Sequence, residues 1–443
     1  MSFSETIFAL ASGRGRAGVA VVRISGPGSV DALETLSGKS RPEPRRAVLC
    51  PLFRMIDKSL IDQSLAILFP GPNSFTGEDV VELHLHGGPA ILTALFEELS
   101  GFPNFRPAEP GEFTRRAFEH GKMDLTEAEG LGDLVNAETD AQARQALRQM
   151  QGELGRLYDG WREQLIGALA HLEADIDFPD EDLPDGVATA IAPKIVALRG
   201  EIETHLADGH RGEKIREGLD VVILGEPNVG KSSLLNLLAR RDAAIVSDEA
   251  GTTRDIIEVP MDLAGFPVTI ADTAGLRESD SMIEREGVRR ARERAKAADI
   301  RLFMTTADAP EIPAEFADLF QKTDYRLINK TDLAENRAIS DSACHVFSLS
   351  VKMGQGIDDL ISALEADIIN RLDLSGAPAL TRLRHRQSLE ECVSALNRFE
   401  SAREPELAAE DARLAVRALG RITGRVDVED ILDVIFGDFC IGK

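Results

Sequence analysis

The octapeptide Gly225-Glu226-Pro227-Asn228-Val229-Gly230-Lys231-Ser232 has the residue types and spacing of a loop that cradles a phosphate chain. Its glycines let the backbone wrap close to phosphate oxygens. Its amides converge where a helix should begin and partial positive charge collects. Lys231 would reach the β- and γ-phosphates, and the Ser232 hydroxyl would bind Mg²⁺; Val229, Gly230 and Ser233 complete the contact set. The apolar run Leu219–Leu224 before it and the helix-like run Ser233–Leu238 after it supply the strand–loop–helix context that the motif needs.

Three further motifs follow in the order a guanine-nucleotide switch requires. Thr252-Thr253-Arg254-Asp255 lies where a first switch loop belongs, and a threonine there, Thr253, closes over the γ-phosphate with its hydroxyl on Mg²⁺. Asp272-Thr273-Ala274-Gly275 follows an apolar run; its Asp would hold the metal's water shell and its Gly amide would sense the γ-phosphate. Asn329-Lys330-Thr331-Asp332 supplies a carboxylate for the N1–H and 2-amino donors of guanine. Adenine lacks that donor pair and would leave the acid unpaired. Ser350-Val351-Lys352 resembles the Ser-Ala-Lys loop that backs the base.

The residue after Gly275 is Leu276, where many switches place a Gln to orient the attacking water. Leucine neither donates nor accepts, so another group must hold that water. Candidates lie in the charged segment 277–286. Asn228, inside the phosphate loop, has an amide oxygen that could hold a monovalent cation near the β–γ bridge; it could equally shape the loop. A cation there would replace an arginine finger, worth ~10³–10⁵ in rate.

These motifs, with Gly18–Gly26 (GVAVVRISG), Phe75–Asp79 (FTGED), Pro110–Phe118 (PGEFTRRAF) and the ending Cys440-Ile441-Gly442-Lys443, resemble the bacterial MnmE (TrmE) family of tRNA-modification GTPases over nearly the whole chain. The resemblance implies K⁺-activated GTP hydrolysis, with K⁺ held by Asn228, Ser247, Glu249 and Thr252 in the loop Ser247-Asp248-Glu249-Ala250-Gly251-Thr252. That loop departs from some relatives at Ser247 and Glu249, which backbone ligation would tolerate. It also implies Glu284 as the water-positioning residue and a folate site of Arg23, Glu82, Lys122 and Lys443. From spacing alone, surface ion pairs are the better reading of those charges. The folate would be 5-formyl- or 5,10-methylene-tetrahydrofolate, and Cys440 a thiol needed for modification rather than for GTP hydrolysis. Further implied are a homodimer, the flavoprotein partner MnmG in a heterotetramer or larger complex, tRNA as substrate and C5 of its wobble uridine as the modified atom.

The elements that must position these residues follow from composition and periodicity. At 443 residues, with 43% hydrophobic and 28% charged residues, the chain is long enough for two to four globular domains. No apolar run approaches the ~20 residues of a membrane span, and no secretory leader is evident. Four scattered cysteines (50, 344, 392, 440) suit a reducing cytosol and give no zinc spacing, so a cytoplasmic location is expected. A net charge of −25 should repel tRNA except at local basic patches or through a partner.

The expected fold is multidomain α/β. An N-terminal α+β, folate-binding-like domain (1–120) with short strands would carry the folate site and dimerisation. A helical domain (121–214 and 376–443) would be interrupted by a P-loop GTPase domain with a doubly wound sheet (215–375). The steps Leu147, Met150, Leu154, Leu157, Trp161, Leu165, Ala168 and Leu172 predict one long helix with a buried stripe. Residues 192–206 and 380–436 also read as helix. Residues 175–185 are an acidic, proline-broken connection without calcium spacing. The rival function is an Era-like assembly GTPase acting in ribosome biogenesis, but no second P-loop or basic Gly-x-x-Gly clamp is present. A prenylated signalling switch is disfavoured, because Cys440-Ile441-Gly442-Lys443 ends in Lys with no polybasic run before it, so no membrane anchor is expected.

Overall fold

A computed structural model describes residues 4–177, 187–240, 258–272, 281–333, 345–372, 378–426, 428–437 and 439–442. The chain divides into two compact units, one of residues 1–132, 149–183 and 401–443, the other of 133–148 and 184–400.

The first unit is built on strands β1 (Thr6–Leu10), β2 (Ala17–Ser25), β3 (Val48–Phe53), β4 (Leu60–Phe69), β5 (Val80–Gly87) and β6 (Phe105–Pro107), in the order β3-β4-β5-β2-β1-β6. All pairs are antiparallel except β1 with β6. Side chains alternate across a strand. Val22, Ile24, Val81, Leu83, Ala66 and Leu68 therefore share one buried face, covered by α1 (Ser29–Ser37) and α2 (Pro89–Ser100). Arg23 and Glu82, paired across β2 and β5, take the other face. On that side, α3 (Glu112–Glu119) brings Phe113 against Ile7, Ala9 and Phe75. Arg116 of α3 is fully buried and meets Glu78 and Glu112, both at 3.0 Å, which ties the β4–β5 loop to the helix. Removing either acid would leave a buried cation short of a partner.

The helices α4 (Leu125–Val135), α5 (Asp140–Met150), α6 (Glu153–Asp177), α7 (Val187–Leu206) and α8 (Arg211–Glu217) follow. The single long helix expected through 147–172 is instead two. Gly152 takes φ 79°, which ends a right-handed helix, and a Cβ there would lie 2.7 Å from a Glu127 carboxylate oxygen. The stripe holds in α6, where Leu154, Trp161, Leu165, Ala168 and Leu172 are buried, but Leu147 in α5 is exposed.

The second unit contains β7 (Leu219–Leu224), α9 (Lys231–Leu238), β8 (Glu258–Leu263), β9 (Phe266–Asp272), α10 (Ser281–Ala297), β10 (Ile300–Thr306), β11 (Tyr325–Asn329), β12 (His345–Ser348) and α11 (Ile357–Arg371). The sheet order is β12-β11-β10-β7-β9-β8, parallel except for the β8–β9 pair. Val221 and Ile223 pack with α9 and α11, while Val222 and Leu224 pack with Ala291 and Ala295 of α10. Helices thus cover both faces, which explains the nearly unbroken apolar run of β7 and makes the sheet doubly wound.

Beyond it lie α12 (Leu383–Ser401), α13 (Pro405–Thr423) and α14 (Glu429–Gly437). In α12 the predicted Leu389, Cys392 and Leu396 are buried; Leu383 and, in α13, Leu414 are exposed, because each lies off its helix's buried face. In the first unit α13 packs on α6, with Arg413 on Glu173 and Arg425 on Asp159. Among the described residues no helix is long and apolar enough to cross a membrane.

Candidate functional site

β7 delivers the chain into the glycine loop and α9 leaves it. The turn needs left-handed or extended backbone at Gly225 (φ 151°), Asn228 (φ 63°) and Gly230 (φ 113°). Packing demands the glycines as well. A Cβ on Gly225 would sit 2.1 Å from the Met304 carbonyl, and one on Gly230 would sit 2.3 Å from Asn329 Nδ2. Lys231 is buried, and its Nζ donates to the Gly225 carbonyl at 2.7 Å and the Glu226 carbonyl at 2.8 Å. Burial pulls its pKa down, opposed by the Asp272 carboxylate. The ammonium lies in the loop, where phosphate charge would favour its protonated form.

Ser232 opens α9 and its hydroxyl donates to Asp272 Oδ2 at 2.5 Å; Asp272 ends β9 and is buried. A hydroxyl and a carboxylate brought together beside a phosphate loop are the oxygen donors that Mg²⁺ takes, the carboxylate through water. Their convergence fits the ion.

Asn329 joins the phosphate and base ends of the site. Its Nδ2 donates to the Val229 carbonyl at 2.8 Å, and its Oδ1 accepts from the Val351 amide at 3.1 Å. Ser350 is buried and donates from Oγ to Asp332 Oδ1 at 2.7 Å, fixing that carboxylate. Thr331 Oγ1 donates to the Leu349 carbonyl at 2.8 Å and holds the two loops in register. Asn329, Asp332 and Val351 line a cavity of about 600 Å³ that also includes Asn228, Gly230, Ser233, Lys330 and Lys352. Asn236, Leu237 and Arg240 line it too and were missed by motif reading. Their signal was present in the sequence, because 233, 236, 237 and 240 follow the i, i+3, i+4, i+7 spacing of one helix face.

Ser247, Asp248, Glu249, Ala250, Gly251, Thr252 and Thr253 lie outside the described residues, as do Thr273, Ala274, Gly275 and Lys443. Glu284 falls in the first turn of α10, and only its backbone is described.

In the first unit Arg23 donates from Nε and Nη2 to Glu82 Oε1 at 3.0 and 2.9 Å. Its guanidinium carbon lies 5.1 Å from the Phe75 ring centre and 5.7 Å from that of Phe113. Lys122 is exposed and donates to the Pro72 carbonyl at 2.8 Å, on the same β4–β5 loop that carries Phe75. Arg23 and Lys122 thus adjoin one loop, and Glu82 is held by Arg23. Cys440 is an exposed free thiol. Its neighbours fix it: Ile441 bridges Pro110, and Gly442 packs where a Cβ would meet the Leu10 carbonyl at 2.1 Å. Burial raises the Cys50 thiol and pushes Cys392 up to about 12, so neither offers a ready thiolate.

Fold and nucleotide site together are those of a P-loop GTPase. The family model for the MnmE helical domain matches residues 125–440, and the model for the GTP-binding protein TrmE N-terminus matches residues 6–122. Among curated relatives, a tRNA modification GTPase MnmE of Parvibaculum lavamentivorans is 55% identical over 443 residues, covering 99% of this chain and 100% of the relative. One from Paramagnetospirillum magneticum is 54% identical over 442 residues, at 99% and 100% coverage. The mitochondrial 5-taurinomethyluridine-[tRNA] synthase subunit GTPB3 of Danio rerio is 46% identical over 472 residues, covering 99% and 93%. The chain belongs to the MnmE (TrmE) family.

Proposed function

We propose that this GTPase drives modification of the wobble uridine of tRNA at C5, adding an aminomethyl or carboxymethylaminomethyl group from a tetrahydrofolate one-carbon unit. The observation that carries the reading is full-length similarity to tRNA modification GTPases, in a chain where Ser350 holds the Asp332 carboxylate and Asn329 binds the phosphate loop. The zebrafish relative's name puts its own product at C5 of a uridine in tRNA. That favours modification over a ribosome-assembly switch. The protein works as a cytoplasmic homodimer with the flavoprotein MnmG in a heterotetramer or larger complex. The proposed domains are 1–120 for folate and dimerisation, 121–214 with 376–443 as the helical domain, and 215–375 for GTP.

In hydrolysis the loop amides and Lys231 hold the phosphates. Ser232 and Thr253 would ligate Mg²⁺, which supplies charge neutralisation on the phosphate oxygens. Asn228, Ser247, Glu249 and Thr252 would hold K⁺, and Ser247–Thr253 with Thr273–Gly275 would contact the nucleotide. Leu276 cannot position water, so Glu284 does. Glu284→Ala lowers GTP turnover at least ~10²-fold with nucleotide affinity little changed, because the group acts in the transition state. Cys440→Ser keeps GTP turnover and loses tRNA modification. Single-turnover hydrolysis and mass spectrometry of tRNA nucleosides read the two effects. Near-normal turnover in the first variant would move the role to Glu278, Glu286 or the backbone. Full modification in the second would remove the thiol from the chemistry.

In the folate site Arg23 would meet a carboxylate, Glu82 the ring N–H donors, and Lys122 and Lys443 further anionic groups. Glu82→Ala and Arg23→Ala each weaken binding of 5-formyl-tetrahydrofolate by ~10-fold or more, the scale of one charged hydrogen bond. Titration calorimetry checks this, and unchanged affinity in both would place the folate elsewhere.

A further inference from the structure

A second cavity in the N-terminal unit, about 560 Å³, is lined mainly by residues of the α2 side of the sheet, with Ala9 also in its lining. Side chains alternate along β1. Ala9 faces the Phe75–Phe113 side, while Phe8 and Leu10 pack on the side covered by α2. Leu10, Leu92 and Phe96 form an apolar floor, and the Phe96 ring centre lies 5.5 Å from that of the fully buried Phe8.

The rim carries the opposite chemistry. Arg14 and Arg16 line it, and both are exposed. Neither has an ion-pair partner among the described residues, whereas Arg23, Arg106, Arg115 and Arg116 of the same unit all hold carboxylates. Pro89 opens α2 at the same rim, and the helix has no side-chain cap on its first amides. A helix start of this kind attracts anions. Two unpaired guanidiniums in a chain of net charge −25 mark a local exception to its acidity. Gly13 between them and Ser12 has open space where a Cβ would lie, so backbone there is free for close approach. One wall is Ile441, the residue after Cys440.

We propose that this cavity receives the target uridine of the RNA substrate, its base on the floor of Leu10, Leu92 and Phe96 and its flanking phosphates on Arg14 and Arg16. The inference rests on the tRNA-modification reading above. The volume lies in the range of small-ligand pockets, and an apolar floor with a cationic edge is what an unstacked base and its phosphates require. The arrangement brings the base against Ile441, the residue after Cys440, and leaves Arg23 and Glu82 to the folate.

The test uses the full-length protein. An anticodon stem-loop with 5-iodouridine at the wobble position is photocrosslinked to it, and the adduct is expected on residues 8–10 or 89–96. Thr93→Trp fills the cavity from its exposed rim, and Arg14→Glu with Arg16→Glu reverses its charge. Each lowers wobble-uridine modification in cells at least ~10-fold through lost phosphate and base contacts. GTP turnover and 5-formyl-tetrahydrofolate affinity stay at wild-type values. Normal modification in both variants, or a crosslink outside these segments, would overturn the proposal alone. A parallel fall in folate affinity would assign the cavity to folate instead, and competition by uridine monophosphate as strong as that by the stem-loop would assign it to a free nucleotide. Unmodified wobble uridine with the wild-type protein would overturn the tRNA reading and this inference with it.

Discussion

Asp332→Asn lowers GTP affinity on the order of 10²–10⁴-fold and turns preference toward xanthosine triphosphate. Two hydrogen bonds to a charged carboxylate are lost from guanine, each worth about 1.5–3 kcal/mol. The structure makes the swap conservative in shape. Ser350 Oγ donates to Asp332 Oδ1 at 2.7 Å, so an amide at 332 can keep that contact through its oxygen and turn its NH₂ to the base. There it meets the 2-oxo group of xanthine, where guanine presents a donor. Calorimetric titration of both nucleotides into both proteins gives the answer, and equal GTP affinity would remove Asp332 from base recognition. Ser350→Ala is expected to weaken GTP binding less, since it frees the carboxylate without deleting it.

Replacing Na⁺ by K⁺ raises GTP turnover on the order of 10³-fold, the scale of a supplied positive charge at the β–γ bridge, and substitution of Asn228 removes the difference. The geometry decides which substitution is informative. Asn228 sits at φ 63°, in the left-handed region that asparagine tolerates and alanine resists. Asn228→Ala would strain the loop while deleting the amide, so a fall in nucleotide affinity would follow from either cause. Asn228→Gly deletes the amide and keeps the backbone. Its expected behaviour is normal Mg²⁺–GTP affinity with equal rates in K⁺ and Na⁺. A wild-type rate indifferent to the cation would end the potassium reading; a Gly variant that still prefers K⁺ would shift the ligation to residues 247–252.

The sequence by itself determined the nucleotide site, because a phosphate loop is encoded locally. Residues 225–232 supply their own turn, amides, ammonium and hydroxyl within eight positions. The strands were legible for the same reason, since β2 and β5 carry their burial in short alternation and β7 in a nearly continuous run. Helix boundaries were less legible. The apolar steps run smoothly from Leu147 to Leu172, and only the positive φ of Gly152, set against Glu127, breaks them. A hydrophobic period reports a face and carries no signal for a turn that a distant side chain demands.

What only the tertiary structure decided are the contacts between residues far apart in the chain. Asn329 reads as a base-loop residue in sequence, yet its side chain binds Val229, a hundred positions earlier, and so couples phosphate and base recognition. Arg23 and Glu82 stand 59 residues apart and meet because antiparallel β2 and β5 fix their register. The same pleat puts Phe8 and Ala9 on opposite faces, Phe8 in the core under α1 and α2 and Ala9 against Phe113. Spacing along a chain encodes chemistry only within a turn, a helix face or a strand. Which strand lies beside which is fixed by burial of the whole sheet, and that cooperative term belongs to no single segment.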